Sequence, residues 1–269
     1  MKRIALLAPM TFFFSFFAVA LVLMVRISLQ DIRPGEIEFV GLRNFIAIFN
    51  DPDFLQHMAN TFIYVVLIAI GQTFTALLIA LGLRHFPRRV RAVSMFFLYL
   101  PAFSGGVIIA SVWRWVFAAK DGLLNSILGT DVVWLLHRVT AIPAISLVLV
   151  VTNFGFPVIV FSVALAAVSK EITDAARIDG ATNRQIAWRV LVPIIRQMIA
   201  TMGLLSGIGA FLLWNLIHTL VPAMSAHNLM YDIYRTAFSL GHYGEGAAKT
   251  MVLMALIILF AVVKRRVER

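Results

Sequence analysis

The sequence predicts an all-α protein that crosses a membrane six times. Hydrophobic residues make up 61% of the 269 residues and charged residues only 13%, and a soluble domain cannot bury that much apolar surface. Six apolar blocks are long enough to cross a hydrocarbon core about 30 Å thick. They cover approximately residues 4–27, 61–83, 93–117, 141–168, 198–220 and 247–263. No segment between them is large enough for a separate domain, so we expect residues 1–269 to form one transmembrane domain.

The first block has some features of a cleaved signal peptide. Lys2 and Arg3 form a basic start, and Ala18-Val19-Ala20 resembles a cleavage site. However, the apolar run from Ile4 to Val25 is long enough to span the membrane, and a further membrane region follows it. We therefore expect a first transmembrane helix that is retained.

The basic residues are divided unevenly between the two sides of the membrane. Fifteen of the 23 lie at the two termini, in the loop 84–91 and in the polar stretch 169–197. The other eight lie on the opposite side. Because loops rich in lysine and arginine stay in the cytoplasm, we expect a multi-pass protein of the bacterial inner (plasma) membrane with both termini in the cytoplasm. The net charge of +10 then reflects membrane topology rather than binding of nucleic acid.

The stretch 169–197 is the longest strongly polar run between apolar blocks. Ser169 is a suitable cap for a first short helix, and Gly180 permits a hinge after it. Residues 182–185 fit a capping box for a second helix, which meets the next apolar block at Pro193. This local chemistry fits a docking element and an ordinary amphipathic surface loop equally well.

No catalytic, nucleotide or metal site is evident in the sequence. The run from Gly241 to Thr250 is rich in glycine, but Ala247 and Ala248 separate its lysine from the glycine that a phosphate-binding loop would require. Ser206 and His218 are about 18 Å apart along a continuous helix, too far to form a catalytic pair. The histidines lack the spacing of metal ligands, and cysteine is absent. Any use of ATP must therefore come from a partner.

Polar side chains inside the apolar blocks are candidates for a hydrophilic path. Asn153 is followed by Gly155 and Pro157, a combination that disturbs helix regularity. A buried amide in lipid lines such a path or bonds to a neighbouring helix, and the two interpretations are equally supported, as they are for Gln72. The aromatic company of Asn215 favours a sugar as the solute. The candidate path residues are Asn153, Phe156, Phe211, Trp214, Asn215 and His218, of which we expect Phe211 and His218 to share a helix face with Asn215.

The central stretch closely resembles the cytoplasmic "EAA" loop of binding-protein-dependent ABC importer permeases. The family pattern is Glu-Ala-Ala, three residues, Gly, nine residues, then Ile-x-Leu-Pro. Here Asp174-Ala175-Ala176 is followed by Gly180 and, nine residues later, by Val190-Leu191-Val192-Pro193. The Ala176–Ala181 segment looks like the carbohydrate-type branch, and the likeness extends to Val40–Phe45. One departure is Asn153, where many relatives carry Trp.

The resemblance implies a type I importer permease fold with a cytoplasmic coupling helix. It implies a second permease subunit, here a related but different chain, and two cytoplasmic ATPases that bind ATP and magnesium. A periplasmic or lipid-anchored solute-binding protein would deliver a sugar or related solute. The coupling helix would dock in a groove on an ATPase, with small residues where backbones approach and charged residues at the rim. The residues carried over are Asp174, Ala175, Ala176, Arg177, Asp179, Gly180, Ala181 and Pro193.

Two further consequences can be tested. A large residue at Ala176 or Gly180 should uncouple transport from ATP hydrolysis while the permease still inserts into the membrane. Alanine at Asn153 or Asn215 should alter uptake affinity without loss of assembly. The alternatives are an ion-coupled secondary transporter, which lacks an Asp or Glu in the core of any block, and an intramembrane enzyme, which lacks an assembled catalytic site.

Overall fold

The computed structural model describes residues 2–221 and 224–267, with side chains described for 10–221 and 225–263. Almost all regular structure in these ranges is helical. The helices are α1 (Lys2–Ser28), α2 (Arg43–Phe49), α3 (Pro52–Leu83), α4 (Arg88–Tyr99), α5 (Gly106–Val116), α6 (Leu123–Leu128), α7 (Arg138–Asn153), α8 (Gly155–Ala166), α9 (Lys170–Ile178), α10 (Asn183–Gln185), α11 (Val192–Ile194), α12 (Arg196–Phe211), α13 (Asn215–Leu220), α14 (Leu229–Tyr234) and α15 (Tyr243–Val267). Short 3₁₀ turns cover Leu100–Phe103 and Met224–Ala226, and π-helical turns cover Ile186–Leu191 and Arg235–Ser239.

Three stretches of helix are long and apolar enough to cross a membrane alone, namely Met10–Ser28, Pro52–Leu83 and Tyr243–Val263. Three more pairs of helices pass the same test together, although each pair is bent. The bends measure 96° between Arg88–Phe103 and Gly106–Val116, 51° between Arg138–Asn153 and Gly155–Ala166, and 72° between Asn183–Ile194 and Arg196–Phe211. If each bent pair is one span, the described residues contain up to six spans, in agreement with the predicted helical membrane fold.

The boundaries of several predicted blocks differ from the helices. The second span begins at Pro52 rather than near residue 61, because Asp51 caps it by accepting a hydrogen bond from the Asp53 amide at 3.0 Å and Pro52 suits the first helical position. The last span begins at Tyr243 rather than 247. Blocks 93–117 and 141–168 are bent, and block 198–220 is interrupted after Phe211.

The bend between α7 and α8 lies at Gly155, where another helix passes closely. A Cβ atom at this position would lie 2.4 Å from the Leu98 carbonyl oxygen and 2.6 Å from the Tyr99 Cα atom. Only glycine lets the end of α4 approach α8 so closely. The predicted irregularity after Asn153 is therefore confirmed by the 51° bend.

A two-stranded antiparallel hairpin, not predicted from the sequence, follows α1. Strands β1 (Gln30–Arg33) and β2 (Glu36–Phe39) pair Gln30 with Phe39 and Arg33 with Glu36. The turn passes through Gly35 with φ +92°, a conformation that glycine adopts without strain. The Asn44 amide donates to the Ser28 and Gln30 carbonyls at 2.9 Å each, which fixes the hairpin against α2.

Helix α3 is the centre of the packing, since α7, α8 and α12 all contact it. One buried cluster surrounds its first half and contains Phe54, Tyr64 and Phe211. A second cluster surrounds its last turns and contains Leu81 and Phe161. We call the end of the molecule with the hairpin, α6 and α14 the outer end, and the end with α9 the inner end. The described part of α1 leaves most of its side chains exposed, as expected for a surface against lipid or another subunit.

Candidate translocation path and coupling surface

The polar stretch 169–197 forms the helix–turn–helix that its sequence predicts. The Ser169 hydroxyl accepts a hydrogen bond from the Glu171 amide at 3.3 Å, which caps α9. Gly180 follows the helix with φ +81°. Thr182 and Gln185 form both bonds of a capping box at the start of α10. Each of these predictions is confirmed.

The second helix of this stretch leads into the membrane through a bend. Residues 183–194 are helical, with a π-helical turn at Ile186–Leu191. The chain then turns by 72° around Ile195 into α12. Pro193 lies in the last helical turn before the bend, so the predicted junction between the polar stretch and the apolar block is confirmed.

Two of the small residues expected to meet a partner also contact this chain. Ala176 in α9 and Ala181 after it are half-buried and pack against the protein's own inner cluster. Thr173, next to them, is buried. The outward surface instead presents Ile178, which is 87% exposed. A large residue at Ala176 would therefore disturb packing inside this chain as well as any contact with a partner.

The charged residues of the stretch are exposed. Asp174 and Arg177 form an ion pair at 3.2 Å with both side chains about half exposed, a geometry that contributes little to stability. Ala175, Asp179 and Gly180 are exposed as well. The exposed face therefore combines one large apolar side chain with small and charged neighbours.

A cavity of about 290 Å³ lies between α3, α7, α8 and α12. Its lining is mainly apolar, with a few polar groups. Asn153 and Phe156, both predicted path residues, line it. Gln72 lines it from α3, and its amide donates to the Leu149 carbonyl at 3.4 Å, while the Asn153 amide donates to the same carbonyl at 3.2 Å. The two amides thus converge on one side of the cavity.

The other predicted path residues lie elsewhere, because the helix that was expected to carry them is broken. Helix α12 ends at Phe211 and α13 begins at Asn215. The prediction that Phe211 shares a helix face with Asn215 and His218 is therefore wrong, whereas Asn215 and His218 do lie three residues apart on α13. Phe211 is fully buried in the outer cluster and packs against Phe62 and Phe260 at centroid distances of 6.2 and 5.6 Å.

The break is stabilised by side chains from outside the helix. The Leu213 carbonyl accepts a hydrogen bond from the Asn228 amide at 2.5 Å, and Arg114 donates to the Thr219 carbonyl. Asn215 accepts from the Leu216 amide at 2.7 Å and lies against Gly106 of α5. Polar backbone groups freed by the break thus find partners.

Trp214 and His218 belong to an aromatic cluster at the outer end that sequence reasoning missed. Trp214 stacks on Tyr234 with ring centroids 4.6 Å apart. His218 lies 5.5 Å from Tyr234 and 5.7 Å from Tyr231. Tyr231 and Tyr234 are three residues apart on α14 and face the same way. The sequence shows the spacing of the two tyrosines, but it does not show that they contact Trp214.

A buried ion pair fixes α14 to α15 beside this cluster. The Lys249 ammonium lies 2.8 Å from the Asp232 carboxylate and 2.9 Å from that of Glu245, and donates to the Thr236 hydroxyl at 2.9 Å. His57 approaches Asp232 at 3.6 Å. Burial raises the pKa of the Asp232 carboxyl, but the neighbouring His57 and the Lys249 charge outweigh burial and hold the pKa below its usual value.

His227 lies next to this network. Burial lowers the pKa of its imidazole to about 4, so the ring is neutral at physiological pH. It packs edge-on against Tyr231 at 4.5 Å. Within the described residues, no group of three or more histidine, cysteine, aspartate or glutamate side chains is arranged to hold a metal ion.

Comparison with known proteins gives a consistent result. A family model described as "Binding-protein-dependent transport system inner membrane component" matches residues 72–269. The chain is 30% identical over 237 residues to the inner membrane ABC transporter permease protein YcjO of Escherichia coli (strain K12), covering 85% of this chain and 78% of that protein. It is 28% identical over 254 residues to the diacetylchitobiose uptake system permease protein NgcF of Streptomyces coelicolor, covering 86% and 71%.

A solved structure has the same fold. It is a chain of a bacterial alginate ABC transporter in complex with an alginate pentasaccharide-bound periplasmic protein, with a TM-score of 0.85 and 20% identity, covering 98% of this chain and 93% of that one. At this identity the likeness concerns the fold alone. The family model, however, covers well over half of the sequence and includes the whole stretch 169–197. This chain therefore belongs to the family of binding-protein-dependent transport system inner membrane components, the permease subunits of ABC importers.

Proposed function

We propose that this chain forms half of the translocation path for an oligosaccharide or a related polyhydroxy solute. The relatives named above support this solute class, since one is a diacetylchitobiose permease and another belongs to an alginate transporter. Family membership argues against the two alternatives, an ion-coupled transporter and an intramembrane enzyme. The chain carries out no covalent chemistry in this proposal.

In this proposal α9 couples the permease to a cytoplasmic ATPase, and the observation that carries this role is the exposed surface of α9. Ile178 is 87% exposed at the tip of the stretch that resembles the coupling loop. An isoleucine in this position gains free energy when a partner removes it from water. Its small and charged neighbours, among them Asp179 and Gly180, allow a helix to enter a groove closely. We assign this groove to a cytoplasmic ATPase.

We assign ATP and its magnesium to two such partner ATPases. The lysine of the glycine-rich run 241–250 is Lys249, which is buried in an ion pair with Asp232 at the outer end. Because its ammonium group is paired with a carboxylate and lies far from the coupling surface, we do not assign phosphate binding to it. The permease dimer would be completed by a second, related but different chain, and a periplasmic or lipid-anchored binding protein would deliver the solute to the outer end.

The proposed solute path has two parts. At the outer end, Trp214 and Tyr234 offer aromatic faces on which sugar rings can stack. Deeper in the chain, the cavity of about 290 Å³ presents the amides of Asn153 and Gln72, which can exchange hydrogen bonds with hydroxyl groups. Both termini would face the cytoplasm, because fifteen of the 23 basic residues lie on the side of the inner end.

A single substitution tests the coupling surface. We expect Ile178→Asp to reduce co-purification of the cognate ATPase and ATP-driven uptake at least about tenfold, since it places a charge where an apolar contact forms. The matched control is Val139→Asp, which changes an equally exposed residue (82%) at the outer end and should leave association with the ATPase unchanged. Wild-type association and uptake in Ile178→Asp would rule out α9 as the coupling helix.

A further inference from the structure

A polar cavity at the inner end is not part of the proposed solute path. It has a volume of about 250 Å³ and lies between the end of α3, the start of α4, the end of α8 and the start of α9. Arg84, Arg91 and Lys170 line it, together with Ser162 and Thr173. No aspartate or glutamate is among its lining residues in the described part of the chain. Three cations therefore share one concave site without an anion in its wall.

Asp174 does not neutralise this charge directly, because its carboxylate is paired with the nearby Arg177 at 3.2 Å. Partial burial and the charge of Arg177 both lower the pKa of the Arg84 guanidinium, although a guanidinium remains protonated in proteins. The site therefore has a positive potential that an anion would relieve.

A buried hydroxyl in the cavity wall also lacks a partner. Ser162 is 5% exposed, and its Oγ atom makes no hydrogen bond to any described residue. The Thr173 hydroxyl nearby donates instead to the Lys170 carbonyl at 2.8 Å. Leaving a buried hydroxyl unsatisfied is unfavourable. An oxyanion in the cavity would accept a hydrogen bond from Ser162 and ion pairs from the cations at once.

We propose that this cavity binds the phosphate-bearing headgroup of an anionic phospholipid. Basic pockets between transmembrane helices on the cytoplasmic side suit such headgroups. The acyl chains also have a surface to follow, since α4 continues from Arg91 with the exposed apolar side chains of Val93, Phe96 and Phe97. The cytoplasmic location of this end rests on the proposed function.

The headgroup would join the coupling helix to the membrane-spanning part. Lys170 is the first residue of α9, whereas Ser162 belongs to α8 and Arg84 follows α3. A bound phosphate would contact all three elements. The lipid would thus hold the start of α9 in place while its other end, near Ile178, meets the ATPase.

The binding test uses the purified transporter with its partner subunits in phosphatidylcholine nanodiscs that contain increasing fractions of phosphatidylglycerol. Native mass spectrometry gives the affinity of bound phosphatidylglycerol. We expect Arg84→Gln/Arg91→Gln to weaken binding about 25-fold, at about fivefold for each basic side chain lost. The matched control is Arg88→Gln/Arg89→Gln, since these arginines are exposed at the start of α4 and do not line the cavity. The control should bind as the wild type does.

A single variant and a competition with inorganic phosphate complete the binding test. Lys170→Gln, at an exposed position, should weaken binding about fivefold even if the double variant does not fold. Equal affinity in the wild type, Lys170→Gln and the double variant would overturn the proposal. Displacement of the lipid by inorganic phosphate at equal phosphate concentration would support the anion site but overturn the lipid as its occupant.

A third outcome concerns the ATPase. If phosphatidylglycerol binds equally to all variants while Arg84→Gln/Arg91→Gln alone loses the ATPase, an acidic side chain of the ATPase is the occupant, and the lipid proposal is wrong. The coupling proposal is tested separately by Ile178→Asp. That variant should lose the ATPase and keep its lipid, so failure of one proposal is distinguishable from failure of the other.

Discussion

The outer and inner ends of this protein differ in how their polar groups are held. At the outer end, several buried polar side chains are paired with residues that are distant in the chain. Asn60, which is fully buried, donates to the Ser225 and His227 carbonyls at 2.9 and 2.8 Å and accepts from Arg138 at 2.7 Å. Lys249 lies between two carboxylates.

The inner end is stabilised mainly by local caps and leaves its remaining groups exposed. The side-chain hydrogen bonds of α9 and α10 join residues at most three apart, such as Ser169 with Glu171 and Thr182 with Gln185. Ile178 faces water, and no aspartate or glutamate of the described residues lines the cavity around Ser162. This difference agrees with the proposals above, in which the outer end forms the frame for solute entry and the inner end binds an ATPase and a lipid.

The largest expected effect comes from breaking the frame. Lys249→Met should lower the free energy of unfolding by about 3–5 kcal/mol, because it leaves the buried Asp232 carboxylate without its cation. The side chains of Lys249 and Asp232 are only 4% and 3% exposed. The loss would appear as a lower thermal unfolding midpoint of the purified protein in detergent.

Two further variants test whether the loss comes from the unpaired buried charge. Lys120→Met removes an exposed lysine and should leave the midpoint unchanged within error. The double variant Asp232→Asn/Lys249→Met should recover part of the loss, since it removes both buried charges. If Lys249→Met were no less stable than Lys120→Met, the contrast between a paired outer end and an open inner end would fail.

A second prediction uses pH to probe the same frame. The pKa of His227 is about 4 in the folded chain against 6.5 ordinarily. Below about pH 6.5 the unfolded chain therefore binds a proton that the folded chain does not bind, and stability falls as pH drops towards 4. The carboxyl of Asp232 contributes only at lower pH, because its pKa lies below 3.8. We expect the unfolding midpoint of the wild type to fall steadily between pH 6.5 and 4.5.

The variants for this prediction exchange one histidine at each end. His227→Gln should flatten the slope of the unfolding midpoint against pH. His85→Gln, at an exposed inner position, should leave the slope as it is in the wild type. Equal slopes in all three proteins would show that burial of His227 does not govern its titration.

The same contrast explains how much of the molecule the sequence predicted. The caps of α9 and α10 depend on residues within one helical turn, so Ser169 and the Thr182–Gln185 box could be identified from local chemistry. The apolar blocks follow from composition, because lipid requires long apolar helices. The Asp174–Pro193 pattern identified the family, which the comparisons confirm.

The missed features depend on contacts between distant residues. Hydropathy predicted one helix over 198–220, since Leu212 and Leu213 are apolar. The helix breaks there with the Leu213 carbonyl bonded to Asn228, fifteen residues away in the chain. The pairing of Asp232 with Lys249 and the stacking of Trp214 on Tyr234 likewise join separate helices. Periodicity along one segment carries no information about such pairs.

The smallest expected effect comes from Gly180→Ala at the inner end, which changes only the backbone strain. Gly180 has φ +81°, and a Cβ atom there would meet nothing within 4 Å. Gly180→Ala should therefore cost about 1–2 kcal/mol from the left-handed backbone and nothing from steric clash. Gly82→Ala is the matched control, because it is also unobstructed at the inner end but lies in the helix α3. It should gain about 0.5–1 kcal/mol from its higher helix propensity.

These two alanines separate local strain from packing. Unfolding midpoints that move in opposite directions, down for Gly180→Ala and up for Gly82→Ala, would show that the turn after α9 is held by its own backbone. An equal loss in both variants would mean that the inner end is as tightly packed as the outer end. In that case the description of the inner end as open would be wrong, because this chain would already cover the surfaces that we assign to a partner.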